Sequence, residues 1–329
     1  MSLIAPALQA FFTDRLTLQR NASPHTAVAY RRSFCLLLSF IQKHSGKEPS
    51  RLDFADLSAP RIVAFLLHLE TERGNSIRSR NARLAAIHSF FRFAATQHPE
   101  HADDIQRVLA VPHKRSVRTD ITHLDHLEIV SLLAAPNCST WHGQRDHALL
   151  LLAIQTGLRL AELTTLKVKD VQLAGDAHVR CQGKGRKERR TPLNRQTVAV
   201  LKAWTRESGG EPDDPLFPTR RGTCLSADAV ESLVAEHARR AAGDCPSLRG
   251  KKVTPHVLRH TNAMQLLHAG VDIATIALWL GHERVQTTDV YLHADMSMKE
   301  KALARLTPVS ARPGRYRAPD ALMRFLAGP

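Results

Sequence analysis

A chain of 329 residues is long enough for two domains, each with its own core, and a hydrophobic content of 43% is that of an ordinary globular protein. A formal charge of +15 and an isoelectric point near 10.2 imply a polyanionic partner, and since both halves of the chain carry an excess of Lys and Arg, both are expected to touch it. Five cysteines without a CxxC pair argue against a zinc ribbon and for a reduced, cytoplasmic setting, and no long apolar run suggests a leader peptide or a membrane span.

The N-terminal third reads as helix throughout. A first helix is expected over about 5–20. Ser23-Pro24 opens a second, with Phe34, Leu37, Leu38 and Ile41 at core spacing and Gly46 as its stop. Ser58 and Pro60 start a third that runs to about Thr71, Ser76 starts a fourth, and a shorter one follows at 102–110. The fourth helix carries Arg78, Arg80 and Arg83 on one side and Leu84, Ile87 and Phe91 on the other. Such a cationic face suits a phosphate backbone, although a merely solvated charged face fits the same spacing. The segment 113–122, with Lys114, Arg115 and Arg118, reads as a basic interdomain linker that itself lies on the polyanion.

The second domain opens with helices at about 124–134 and 143–156, the latter very apolar and ended by Gly157. Arg159 projects from the turn that follows. An arginine at the end of a buried helix needs an anionic partner, which is either Glu162 or a substrate phosphate with Glu162 orienting the guanidinium. The period then switches: KVKDVQL, HVRCQG and ERRTPL read as three short strands with a turn at Ala174–Ala177. Between the last two, Lys184, Arg186 and Lys187 sit on a glycine-bracketed hairpin tip able to reach a groove. Lys184 is either a general acid for a leaving hydroxyl or part of a basic turn without chemistry. Helices resume at about 195–207 and 226–241, and after Leu306 the segment 321–328 reads as a short apolar helix that packs on another subunit or on its own domain.

The most informative stretch is Val253–Asp295. Thr254 and Pro255 form a helix start, and on that helix His256 projects beside Arg259 and His260. Gly270 stops it, Asp272 caps the next, and Gly281 stops that one, so His282 sits just past a helix end. Tyr291 lies on or beside a further short helix that Thr287 or Thr288 could cap. Arginine, histidine and tyrosine converging from separate helices suit phosphoryl transfer. A guanidinium clamps non-bridging oxygens, an imidazole donates to them or moves protons, and a phenol can attack to give a covalent intermediate. His256 and His260 also have zinc-ligand spacing. However, Val257 stands where a zinc protease motif needs Glu, and Arg259 would repel a cation, so no metal is expected.

Four motifs, TGLRLAEL (Thr156–Leu163), GKGRKERRTPL (Gly183–Leu193), HVLRHTNAMQLL (His256–Leu267) and LGHERVQTTDVYLH (Leu280–His293), resemble in order and spacing those of the tyrosine recombinase (phage integrase) family, especially its XerC/XerD-like members. The N-terminal helices resemble that family's core-binding domain more weakly. The resemblance implies a mainly α fold, with a helical core-binding (SAM-like) domain at 1–112, the linker at 113–122, an α+β catalytic domain with a small three-stranded antiparallel sheet at 123–308, and a tail at 309–329. It implies that Arg159 and Arg259 clamp the scissile phosphate, that His256 and His282 complete the anion pocket and assist proton transfer, that Lys184 protonates the leaving 5′ oxygen, and that Tyr291 attacks to give a 3′-phosphotyrosine. Glu162 and His260 stand behind these groups. It further implies a double-stranded DNA partner, a homotetramer (or a heterotetramer with a related recombinase) on paired sites, and no metal or other cofactor. Val257 and Asn262 depart from the residues more usual at their positions. Two alternatives are a DNA-binding protein without catalysis and a type IB topoisomerase-like nicking-closing enzyme.

Overall fold

A computed structural model of the chain describes residues 3–115, 121–182, 188–282, 288 and 291. The chain forms two compact units, 1–119 and 120–329. Among the described residues there are twelve α-helices and one three-stranded sheet, the mainly helical architecture expected.

The first unit holds α1 (Ile4–Ala10), α2 (Pro24–Ser45), α3 (Ala59–Thr71), α4 (Ile77–Ala94) and α5 (Ala102–Leu109). Ser23 accepts the Thr26 N–H at 3.2 Å, Pro24 presets the first turn of α2, and Gly46 ends it in the left-handed region at φ 69°. The helix expected over 5–20 is α-helical only to Ala10 and continues as π-helix over Phe11–Gln19. The wider turn has a packing reason: i→i+5 periodicity puts Phe11 and Leu16 on one face, and both are fully buried. Phe11, Phe34, Phe90 and Phe91 form the centre, with edge-on ring contacts at centroid separations of 5.3–5.6 Å for Phe11–Phe90, Phe34–Phe90 and Phe90–Phe91. Leu84 and Ile87 are buried as expected, while Leu38 only borders the core.

The cationic face of α4 needs correction. Arg78 is exposed, but Arg80 is buried, donating to the Pro112 carbonyl at 3.1 Å and lying 3.4 Å from the Glu70 carboxylate. Arg83 is half-buried, its guanidinium 3.4 Å from the Ser33 hydroxyl. The apolar stripe of α4 is wide enough to carry Arg80 inward, where only pairing makes a guanidinium tolerable. The start of the linker is also tied down. Asn81 exchanges two hydrogen bonds with the Lys114 backbone, and Lys114 Nζ pairs with Glu70 at 2.6 Å, while Arg115 is exposed.

The second unit contains α6 (His126–Ala134), α7 (Trp141–Thr156), α8 (Leu160–Thr165), β1 (Val171–Gln172), β2 (His178–Gln182), β3 (Glu188–Pro192), α9 (Arg195–Ser208), α10 (Ala227–Ala241), α11 (Pro255–His268) and α12 (Ile273–Leu280). The sheet is antiparallel in the order β1-β2-β3, with Val179 opposite Val171 and Thr191, and Cys181 opposite Arg189. The first expected strand is shorter than its apolar pattern. The Asp170 carboxylate accepts the Lys167 N–H at 3.0 Å and folds Val168–Asp170 into a 3₁₀ turn, which leaves only Val171 and Gln172 to pair. At the centre α7 is buried on nearly every side, from Ala148 through Ile154, and packs against α9 and α11. Thr254 and Asp272 cap α11 and α12 as expected, accepting N–H groups at 3.3 and 2.9 Å.

Arg78 and Arg80 should therefore separate in experiment. Arg80→Met should lower stability by about 2 kcal/mol by leaving the Pro112 carbonyl without its donor and Glu70 with Lys114 as its remaining ion-pair partner, whereas Arg78→Met should change it by less than about 0.5 kcal/mol, as read by thermal unfolding.

Candidate functional site

Two helix C-termini organise the site. α7 ends at Gly157 and α12 at Gly281, with φ of 63° and 65°. A side chain is excluded at either position by space as well as by conformation. A Cβ on Gly157 would lie 2.7 Å from Asn262 Oδ1 and Leu280 Cδ2, and one on Gly281 would lie 2.7 Å from Arg189 Nη1. The two turns present carbonyls at the negative ends of their helices, and two guanidiniums bind them. Arg259, in the middle of α11 and only 4% exposed, donates to the Gly157 carbonyl at 2.6 Å and the Leu280 carbonyl at 2.7 Å. Arg159, in the turn after α7, donates to the Gly281 carbonyl at 2.6 Å, and its side chain stays 32% exposed.

Glu162, on the first turn of α8, binds the second of these cations and a third. Its carboxylate accepts the Arg159 N–H at 2.7 Å and Arg159 Nη1 at 3.0 Å. Arg189 of β3 meets both of its oxygens, at 2.8 and 2.7 Å. Burial alone would raise this carboxyl, but the hydrogen bonds from Arg189 and Arg159 and their charges hold it below its ordinary 4.5. The opposite balance holds at Arg259. Burial, helped by Arg159, lowers its guanidinium to about 10, still a cation at neutral pH.

Of the remaining candidates, His282 follows Gly281 and is half-buried, its Nδ1 2.7 Å from the Thr288 hydroxyl. Burial, then the charges of Arg259 and Arg159, push it down to about 4, so it is neutral at physiological pH. His256 is exposed, and its ring stacks on His260 at a centroid distance of 6.2 Å. His260 is half-buried and turns its Nδ1 to the Tyr291 hydroxyl, 2.9 Å away. Tyr291 is 2% exposed and packs among Ala263, Met264, Leu267, Ile276 and Leu280. Burial raises its phenol, and the nearby Arg259 charge partly offsets this. The structure thus brings Arg159, Glu162, Arg259, His260, His282 and Tyr291 together from α8, α11 and the segments after α7 and α12, with His256 at the edge. Lys184, Arg186 and Lys187 lie outside the described residues, as does the tail at 309–329.

Sequence reasoning missed Arg189. It lies in ERRTPL between two other charged residues, and nothing in its immediate neighbours sets it apart. The strand period does. Arg189 shares a face with the buried Thr191, opposite Cys181 and Val179, so it is the arginine of that run that must turn inward.

Glu162→Gln should lower stability by about 3 kcal/mol at neutral pH, because two guanidiniums lose their shared anion. A carboxyl held below its ordinary 4.5 contributes fully above that pH and loses the contribution as the pH falls through its folded value. The deficit of the variant, measured by urea unfolding, should accordingly be full at pH 7 and shrink below 4.5.

Comparison with known proteins identifies the family of the chain. The Phage integrase family profile matches residues 122–298, and the Phage integrase N-terminal SAM-like domain profile matches 10–98. The protein y4rC of Sinorhizobium fredii, named among integrases and recombinases, is 53% identical over 98% of this chain and 97% of its own. The tyrosine recombinase XerC of Pelobacter propionicus is 32% identical over 92% of this chain and 95% of its own. The crystal structure of the XerH site-specific recombinase bound to a palindromic difH substrate superposes with a TM-score of 0.69 at 23% identity, covering 87% of this chain and 81% of that one, which is a likeness of fold. The chain belongs to the phage integrase family of tyrosine recombinases.

Proposed function

We propose that this recombinase cleaves and rejoins double-stranded DNA through a 3′-phosphotyrosine on Tyr291, with Arg159 and Arg259 clamping the scissile phosphate. The observation that carries this reading is the pair of guanidiniums fixed on the carbonyls of Gly157, Leu280 and Gly281, close to a tyrosine on a neighbouring segment. As the Tyr291 oxygen attacks phosphorus, negative charge grows on the non-bridging oxygens, and cations already held in place meet it without reorganisation. His282 and His256 add donors at the rim of the pocket. Both α7 and α12 direct their negative ends at the guanidiniums, which keeps these cations from swinging into solvent in the absence of substrate.

By resemblance to the family, Lys184 protonates the 5′ oxygen as it leaves. In religation the 5′ hydroxyl of an incoming strand attacks the phosphotyrosine and releases Tyr291, so the energy of the phosphodiester is conserved. Two rounds of this exchange between paired sites need four active sites, which supports a tetramer on DNA. The cationic groups on both units, with Arg78 and Arg115 exposed on the first, suit the phosphate backbone. Among the described residues no helix is long and apolar enough to cross a membrane, in keeping with a protein that meets DNA in the cytoplasm.

The test is covalent trapping on nicked suicide duplexes taken from the gene's own neighbourhood. Wild type should give a denaturation-resistant adduct, and Tyr291→Phe should give none. Arg259→Lys keeps the charge but cannot fork between two carbonyls, and it should slow adduct formation on the order of 10²-fold. Tight binding of the duplex without any adduct from wild type would overturn the reading in favour of a binding protein.

A further inference from the structure

His260 is not needed for the phosphate pocket, yet it is the group in contact with the nucleophile. Tyr291 is almost wholly enclosed, and a buried hydroxyl must place its proton on an acceptor. The nitrogen 2.9 Å away is His260 Nδ1. A neutral imidazole with its proton on Nε2 presents a lone pair at Nδ1, so the bond runs from the Tyr291 O–H to Nδ1. The groups facing this imidazole keep it neutral. His256 and Arg259 lie on its own helix, His123 on the segment before α6, and His282 beyond α12. Burial comes first among the causes, followed by His256 and Arg259, and together they lower His260 to about 4. The phenol for its part is raised by burial, so it does not ionise unaided near neutral pH. Attack therefore needs an acceptor for the phenolic proton, and one is already in place.

We propose that His260 is the general base of strand cleavage, taking the Tyr291 proton at Nδ1 as the tyrosine oxygen bonds to phosphorus. This rests on the reading of Tyr291 as the nucleophile. In the step the Oη–P bond forms, the P–O5′ bond breaks, the phenolic proton passes to Nδ1, and the departing 5′ oxygen takes its proton from a separate acid. Transfer is concerted with attack, because Oη becomes strongly acidic only as it bonds to phosphorus. A phosphodiester anion beside the imidazole also favours its protonated form. In religation the imidazolium returns the same proton to the departing tyrosine oxygen, so His260 stores one proton for the lifetime of the covalent intermediate.

The experiment is the rate of adduct formation by the full chain on suicide duplexes, with wild type, His260→Asn and His260→Ala, each first shown to bind the duplex. Asparagine places an oxygen near the position of Nδ1, so it keeps the hydroxyl held but cannot take the proton. Both variants should be slower on the order of 10²-fold at neutral pH. Their rates should climb about tenfold per pH unit as hydroxide replaces the base, while wild type stays flat. Added imidazole should partly restore His260→Ala. A duplex with sulfur at the bridging 5′ position, whose leaving group needs no acid, should leave the defect in place. Wild-type speed in His260→Asn would reduce His260 to a holder of the hydroxyl and overturn the proposal. Recovery of both variants on the sulfur duplex would overturn it differently, by assigning His260 to the leaving group. If the asparagine variant fails to bind the duplex, imidazole rescue and the pH profile of His260→Ala decide. Absence of adduct from wild type would instead overturn the nucleophile reading, and this proposal with it.

Discussion

The site depends on guanidiniums bound to the C-terminal carbonyls of two helices. A helix leaves its last carbonyls unpaired, and in α7 and α12 the left-handed glycine that ends each helix turns them toward the interior. Arg259 bridges the two ends, and Arg159 adds a bond to the second. Each cation thereby satisfies orphan acceptors, lies in a favourable dipole field and is fixed in position by one set of bonds. The packing of α11 on α7 and the direction in which α12 returns are set to the accuracy of these hydrogen bonds. Displacing either helix would strand a buried charge as well as open a gap.

Glu162 is the counterweight. Three arginines approach one another in this region, and without a shared anion their repulsion would favour opening. A single carboxylate, bidentate to Arg189 and bonded to both the backbone and the side chain of Arg159, joins α8 to the last strand of the sheet. The sheet is thus anchored to the turn that carries Arg159. The histidines show the complementary design. Surrounded by cations and apolar side chains, His260 and His282 are held well below the ordinary histidine range, so among the described residues the positive charge of the pocket lies on the arginines.

Much of this could be read from the sequence because it rests on local rules. Thr254-Pro255, Asp272, Gly157 and Gly281 mark helix ends through caps and left-handed turns, and the helix ends in turn place Arg159, Arg259 and His282. The pairing of Arg159 with Glu162 follows from their separation of three residues. What could not be read depended on partners distant in sequence. Arg80 looks like its neighbours Arg78 and Arg83 until Glu70 and the Pro112 carbonyl arrive from other segments. The π-helical turn at Phe11–Gln19 has no residue signature of its own and follows from the need to bury Phe11 and Leu16 together. The contact of His260 with Tyr291 spans thirty-one positions, and no spacing rule reaches that far.

The glycine at 281 bears on how such a protein can diversify. Its missing side chain is the space occupied by the Arg189 guanidinium, and the missing side chain at 157 is filled by Asn262 and Leu280. Five positions on four separate segments are therefore packed against one another, and a side chain added at either glycine meets an atom of its neighbours at 2.7 Å. A larger residue at either glycine therefore calls for a compensating change in the side chain it would meet. Exposed side chains such as Arg78 and Arg115 meet no such constraint. A library of variants would lose many folded members if it sampled the two glycines, and few if it sampled these exposed arginines.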